Sequence, residues 1–311
     1  MCGAAGIIGK KNASSLVLEG LKKLEYRGYD SAGIASFYQK SIQVAKSEGK
    51  LVNLINKVND LAKDNLYYET SIALGHTRWA THGNINIKNA HPLTSENRVA
   101  VVHNGIIENY ASIKKTLESE GYVFTSQTDT EVLPHLFNKY LKKGHDFLQA
   151  GRLVLKDIKG AFAFVAICLD FPDQLFVSRN SSPLAIGLGE GSNFVGSDAQ
   201  SINHLTNKIT YLEDGDYALI KINNIEIFDK NSKKIDRKII NVQSELGLIT
   251  KGGYKHFMEK EIYEQPSVIP HTISSFINPK STIDIDLDKL GFSQKSSLII
   301  CAAGTSYYAA L

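Results

Sequence analysis

At 311 residues, with 43% hydrophobic and 22% charged side chains, the chain has an ordinary globular composition and room for roughly two domains of about 150 residues each. Its net charge of +3 comes from 35 basic and 32 acidic residues, the basic ones scattered as pairs such as Lys10-Lys11, Lys22-Lys23 and Lys142-Lys143. Even the densest run, Lys233 to Lys238, reads as a solvated surface, so neither a nucleic-acid stripe nor a membrane-length apolar span is expected.

In chain order, the apolar run Gly3–Gly9 predicts a strand. Leu16, Leu18, Leu21 and Leu24 keep a helical stripe, as do Leu51, Leu54, Ile55, Val58 and Leu61. Strands are predicted at Ser71–Leu74 and Val99–Val102, and helices at Ala111–Glu120, Glu131–Lys142 and Leu148–Lys159. From Ala161 strands dominate, through Gln174–Val177, Asn193–Val195, Ile209–Leu212, Tyr217–Ile222 and Glu226–Phe228. Strand-rich blocks around grouped helices indicate an α+β fold, not a regular βαβ winding. Asp229–Thr250 is polar and reads as a linker, and Gly252–Ile277 as helical pieces broken by Pro266 and Pro270. Ser297–Ala302 reads as a buried strand running into Gly304-Thr305-Ser306 and a helix start, a weak phosphate-cradle pattern.

The three cysteines, Cys2, Cys168 and Cys301, are widely spaced with no metal-like pairing. Cys168, in the apolar run Ala161–Leu169, is expected to be a buried core thiol. A reducing cytoplasm fits this usage, and no charged leader precedes the apolar start, so a cytoplasmic location is expected. Cys2 is different. Removal of Met1 would put a thiol and a free α-amine on one residue, with ordinary pKa values of about 8.5 and about 7.7–8.0. Such a nucleophile carries its own general base, the amine taking the thiol proton directly or through one water. His76, His82, His91 and His103 match no zinc spacing, so neither a metal nor another cofactor is expected.

Five motifs in one order then resemble the class II, N-terminal-nucleophile glutamine amidotransferases. They are Met1-Cys2-Gly3, Glu25 to Gly33 (EYRGYDSAG), Gly75 to Gly83 (GHTRWATHG), Val102 to Asn109 (VHNGIIEN) and Thr128 to Glu131 (TDTE). Within that class the chain is most similar to the glutaminase half of the glucosamine-6-phosphate synthase family. Lys251 to Met258 (KGGYKHFM) and Lys260 to Pro266 (KEIYEQP) also look like that family, and the likeness runs along essentially the whole chain. It implies an αββα N-terminal-nucleophile hydrolase sandwich over residues 2–228, a linker over 229–280, and the start of an α/β sugar-isomerase domain over 281–311.

A glutamine site needs a cation, an anion, a nucleophile and an oxyanion hole. Arg78 suits the substrate carboxylate, because a guanidinium fork binds it bidentately, with Thr81 and His82 lining the same pocket. Asp129 suits the ammonium, although Thr128-Asp129-Thr130-Glu131 is also a capping box opening the next helix. Asn104 and Gly105 offer a side-chain amide and an unhindered N–H for an oxyanion, although Asn-Gly is also a common hairpin turn, here placed at a strand end. The resemblance assigns these roles and gives Trp79 a gating position over the bound substrate. Arg27 and Asp30, set amid tyrosines, read as a buried structural ion pair about as well as a catalytic one and are given a supporting role. Thr305 and Ser306 match sugar-phosphate-binding positions.

The implied reaction is attack of Cys2 on L-glutamine, with ammonia passed on to fructose 6-phosphate, in proteins that form homo-oligomers. Two features depart from the family pattern. Ala4-Ala5 replaces larger aliphatics, which is expected to loosen packing behind the thiol. The chain also reaches only the first strand of the isomerase domain, so Ser281–Leu311 is expected to be loosely held or to dock on a separately encoded half. Competing readings are another amidotransferase, such as asparagine synthetase or phosphoribosylpyrophosphate amidotransferase, and a catalytically silent fragment that binds glutamine or a partner subunit.

Overall fold

Side-chain alternation sorts the strands into two sheets and three apolar layers. A computed structural model describes residues 2–9, 12–38, 40–62, 70–80, 83–242, 254–274 and 307–308. The chain divides into two units, Met1–Ser244 and Glu245–Leu311.

In the first unit the order is β1 (Gly3–Gly9), α1 (Ala13–Leu24), β2 (Ser31–Tyr38), β3 (Ser41–Glu48), α2 (Leu51–Ala62) and β4 (Ile72–Arg78). Then come β5 (Leu93–Ser95), β6 (Val99–Ile107), α3 (Tyr110–Ser119), α4 (Val132–Lys142) and α5 (Phe147–Asp157). Strands β7 (Gly160–Cys168), β8 (Phe171–Asn180), β9 (Ala185–Gly189), β10 (Ser192–Gly196) and β11 (Lys208–Tyr211) follow. The unit ends with β12 (Tyr217–Ile220), β13 (Ile225–Phe228), β14 (Lys234–Ile235) and β15 (Ile239–Asn241). One sheet runs β15-β11-β9-β10-β1-β4-β2-β3 and the other β14-β13-β12-β8-β7-β6-β5, each with antiparallel neighbours.

Successive side chains on a strand point to opposite faces. In β1, Ala4 and Ile8 enter the layer between the sheets, while Ala5 and Ile7 meet α1 and α2. In β6, Ala100 and Val102 face the other sheet, while Val99 and Val101 face the layer of α3, α4 and α5. The same parity places Val165 between the sheets and Phe164 under the helices. The result is an αββα sandwich, the N-terminal-nucleophile hydrolase architecture. Burying each large aliphatic or aromatic side chain contributes about 1.5–3 kcal/mol. Under the helices, Phe164 meets Phe137 with centroids 6.1 Å apart, and Phe137 meets Phe147 at 5.5 Å. Cys168 is fully buried in that layer, as its apolar neighbours implied, and burial pushes its thiol up to about 11.

Ala4 and Ala5 are both buried, Ala4 between the sheets and Ala5 on the face toward α1. A Cβ on Gly20 of α1 would stand 3.8 Å from Ala5 Cβ, an ordinary packing distance. Three expectations change. Strands β2, β3, β5 and β9 went unpredicted, because their alanines, serines and glycines carry little β signal. Residues 229–242 are not linker but sheet, β14 pairing with β13 and β15 with β11. There, polar composition hid an Asx turn, in which Asp229 Oδ1 accepts from Asn231 N and Lys233 N at 2.9 Å each. In the second unit, α6 (Phe257–Ser274) runs through Pro266 and Pro270 without a break. Residues 243–253 and 275–306, including the predicted strand and the Thr305-Ser306 corner, lie outside the described residues.

Candidate active site

The central strands of both sheets end at one cavity of about 260 Å³. Cys2 precedes β1, whose neighbour β4 ends at Arg78, and Gly3 pairs with Thr77 in register. Cys2 and Arg78 therefore stand side by side on adjacent strands. From the opposite sheet, β6 brings Asn104 and Gly105, and the 3₁₀ turn Asp129–Glu131 brings Asp129. All six of Cys2, Arg78, Trp79, Asn104, Gly105 and Asp129 line this cavity. Thr81 and His82, expected beside them, lie outside the described residues.

The Cys2 sulfur is held by the Trp79 backbone, accepting from its N–H at 3.2 Å and donating to its carbonyl at 3.4 Å. Burial pushes the Cys2 thiol above its ordinary value, and the Trp79 N–H and Arg78 only partly offset this. The resting group near neutral pH is therefore the thiol, and attack needs a base. The Trp79 indole is 43% exposed and meets Tyr29 edge-on at 5.5 Å. Asp30 fixes this corner: its Oδ2 accepts from Ala80 N at 2.9 Å, and its own N–H donates to Arg78 O.

Arg78 is 3% exposed, and burial lowers its pKa against the raising effect of Cys2, Asp30 and Asp129. A guanidinium so placed is a strong receptor for a carboxylate. Parity explains its direction, since Ile72, Leu74, His76 and Arg78 share the face of β4 turned to the second sheet.

Asn104 and Gly105 are not a turn at a strand end. They lie inside β6, paired with Ala163 and Phe162. Gly105 takes φ +123°, and a Cβ there would stand 2.0 Å from Ala161 O, so only glycine fits. Asn104 is buried with its Oδ1 2.9 Å from His76 Nε2. Burial pushes His76 down to about 3, so the ring is neutral. With Nε2–H donating to Oδ1, the Asn104 amide is left to present its NH₂ to the cavity.

The Thr128–Glu131 stretch is not a capping box. Thr128 makes no cap bond, its Oγ1 meeting Ser126 Oγ at 2.9 Å. Glu131 instead ties the loop, accepting from Thr125 N at 2.9 Å and Ser126 N at 2.7 Å. Burial alone would raise its pKa, but these hydrogen bonds outweigh that and hold it below the usual range. Asp129 is 4% exposed, and its Oδ2 accepts from Ile107 N at 2.7 Å.

Arg27 also differs from expectation. Its partner is Asp198 at 2.6 Å, not Asp30, and it lines the cavity wall. Sequence reasoning missed Ser182 and Pro183, which line the cavity from the β8–β9 connection, and the His76–Asn104 pairing. The parity of β4 was the available signal for His76. His76 and His91 rings pack at 4.3 Å and His103 Nδ1 meets Thr130 Oγ1 at 2.8 Å, all three imidazoles being buried. Among the described residues no group of three or more His, Cys, Asp or Glu could hold a metal ion, and no helix is long and apolar enough to cross a membrane.

Comparison with known proteins agrees with this geometry. Residues 76–204 match the family model described as a glutamine amidotransferase domain. The whole chain is 44% identical to half of a glutamine–fructose-6-phosphate aminotransferase (isomerizing) from Mesorhizobium japonicum. It is 46% identical to 51% of the protein of that name from Fusobacterium nucleatum. The chain thus spans about half the length of the curated relatives it matches. Among solved structures, a glutamine phosphoribosylpyrophosphate amidotransferase from B. subtilis superposes with TM-score 0.62 at 25% identity, covering 75% of this chain and 50% of that one.

Proposed function

From a chain that carries a class II, N-terminal-nucleophile glutamine amidotransferase domain, we propose that the Cys2 cavity hydrolyses L-glutamine to glutamate and ammonia. With Met1 removed, the Cys2 α-amine takes the thiol proton and the sulfur attacks the side-chain carbonyl. Arg78 binds the substrate carboxylate and Asp129 its ammonium, which fixes the amide over the sulfur. The oxyanion rests on the Asn104 NH₂ and the Gly105 N–H. Collapse expels ammonia, and water then hydrolyses the γ-glutamyl thioester. In this reading Trp79 gates the pocket, and Thr81 and His82 contribute to glutamine binding.

The observation that carries this reading is the convergence of a thiol, a buried cation and a buried carboxylate on one cavity. It favours an active site over a silent fragment. Greater identity to the fructose 6-phosphate enzymes than to the phosphoribosylpyrophosphate enzyme favours fructose 6-phosphate as the destination of the ammonia. In this reading Thr305 and Ser306 belong to a sugar-phosphate site, residues 281–311 open an isomerase domain, and the protein works in the cytoplasm as a homo-oligomer. The test is glutamate release from L-glutamine by the purified chain, with intact mass recorded. Activity should require loss of Met1 and vanish in Cys2→Ala; a Cys2→Ala protein that still released glutamate would overturn the scheme.

A further inference from the structure

The chain has six arginines, and five have evident work. Arg27 pairs with Asp198, Arg98 with Asp170, Arg179 with Asp214, and Arg237 with Glu213 and Asp216. Arg78 belongs to the Cys2 cavity. Arg152 on α5 is the sixth, and among the described residues it has no carboxylate partner.

Arg152 is nonetheless fixed in place. Its Nε donates to Tyr217 Oη at 2.7 Å, and its guanidinium carbon stands 4.8 Å from the Phe228 ring centre. The tyrosine oxygen orients the fork without supplying a carboxylate, and the terminal N–H groups remain for another acceptor. Arg152 lines a second cavity, of about 270 Å³, together with Lys156, Lys159 and Lys230, over a floor that includes Phe162 and Tyr217. Among the described residues no acidic side chain lines it. The acids next along the chain are engaged elsewhere. Asp157 accepts from Tyr140 Oη, Asp214 and Asp216 hold Arg179 and Arg237, and Asp229 caps its own turn.

Four cations around one cavity repel one another, and a pre-oriented guanidinium is an expensive group to leave without a counter-charge. We propose that this cavity is an anion-binding site for a phosphomonoester of a small molecule. A phosphomonoester carries about −1.5 to −2 charges near neutral pH and offers several acceptor oxygens, which a fork plus three ammonium groups match better than a single carboxylate does. The aromatic floor gives the organic part a surface, and the volume limits that part to a compact group. A polymer is disfavoured because basic residues elsewhere are scattered.

The test is calorimetric titration of the full chain with phenyl phosphate, with benzoate as the carboxylate counterpart and sodium chloride holding ionic strength fixed. Saturable binding of phenyl phosphate, about tenfold or more tighter than benzoate, is expected. Arg152→Met should abolish it. Because Arg152 packs on Phe228, the exposed pair Lys156→Gln and Lys230→Gln is the second variant, expected to weaken binding about tenfold with melting temperature and glutaminase activity unchanged. Absence of saturable binding, equal binding of benzoate, or undiminished binding in the double-lysine variant would each overturn the site.

Discussion

Asn104 Oδ1 lies 2.9 Å from Nε2 of a fully buried His76, where the apolar layer between the two sheets gives way to the cavity. An amide can present either its oxygen or its nitrogen, and only the nitrogen stabilises an oxyanion. A neutral His76 donating from Nε2 fixes that choice. His76→Ala should therefore lower kcat about 10- to 100-fold with KM little changed, short of the loss from deleting the donor itself, about 2.7–4 kcal/mol. His76→Gln, which can donate from its own amide, should recover part of kcat. Equal losses in both variants, or a loss confined to KM, would count against an orienting role.

The buried imidazoles also make stability depend on pH. Burial pushes His76 down to about 3 and His103 to about 4, and His91 well below its usual value. In the unfolded chain each titrates near 6.5, so between these values the unfolded state binds more protons and stability rises with pH. The contribution is complete above pH ~6.5 and is lost as pH falls toward the folded values, by up to about 1.4 kcal/mol per pH unit for each histidine. Urea midpoints should fall steeply from pH 7 to pH 5, a window above ordinary carboxylate titration. His103→Gln should flatten that slope by one histidine's share; an unchanged slope would mean that His103 is already protonated in the native state.

Gly105→Ala tests the strand itself. The backbone at φ +123° excludes a β-carbon, and Ala161 O occupies the place where one would go. The variant has to part β6 from β7 at the proposed oxyanion hole. Loss of glutaminase activity by 100-fold or so is expected, with a destabilisation of about 1–3 kcal/mol. Near-native activity would mean that the Gly105 N–H plays no part in catalysis.

Much of this site was legible in residue order, and its errors share one cause. The strand and helix at the start follow from apolar spacing, Cys2 stands out by its place behind Met1, and Cys2, Arg78, Asn104 and Asp129, grouped by the family resemblance, do line one cavity. Local patterns misled wherever a long-range partner decided the outcome. Asn104-Gly105 has the sequence of a turn, but pairing with Ala163 and Phe162 keeps it extended. Thr128 to Glu131 has the sequence of a cap, but Asp129 is taken by Ile107 on β6, far back along the chain. Arg27 sits three residues from Asp30 yet finds Asp198, far along the chain. Such partners are set by sheet register, which one strand's residues do not encode.

Asp129 separates these two kinds of role in one side chain. Its Oδ2 is spent on the Ile107 N–H, which anchors the end of β6; in the proposed scheme the other oxygen takes the substrate ammonium. Asp129→Asn keeps an oxygen for Ile107 and removes the charge, so the fold should hold while KM for glutamine rises about 10- to 100-fold, the scale of one charge-assisted contact. Asp129→Ala removes both, strands a buried backbone donor, and should cost about 1–3 kcal/mol of stability as well. Melting curves and glutaminase kinetics on the pair distinguish the effects. If Asn raised KM no more than a remote surface substitution does, the ammonium would have to be bound elsewhere. Were Ala as stable as Asn, the Ile107 contact would have no anchoring role.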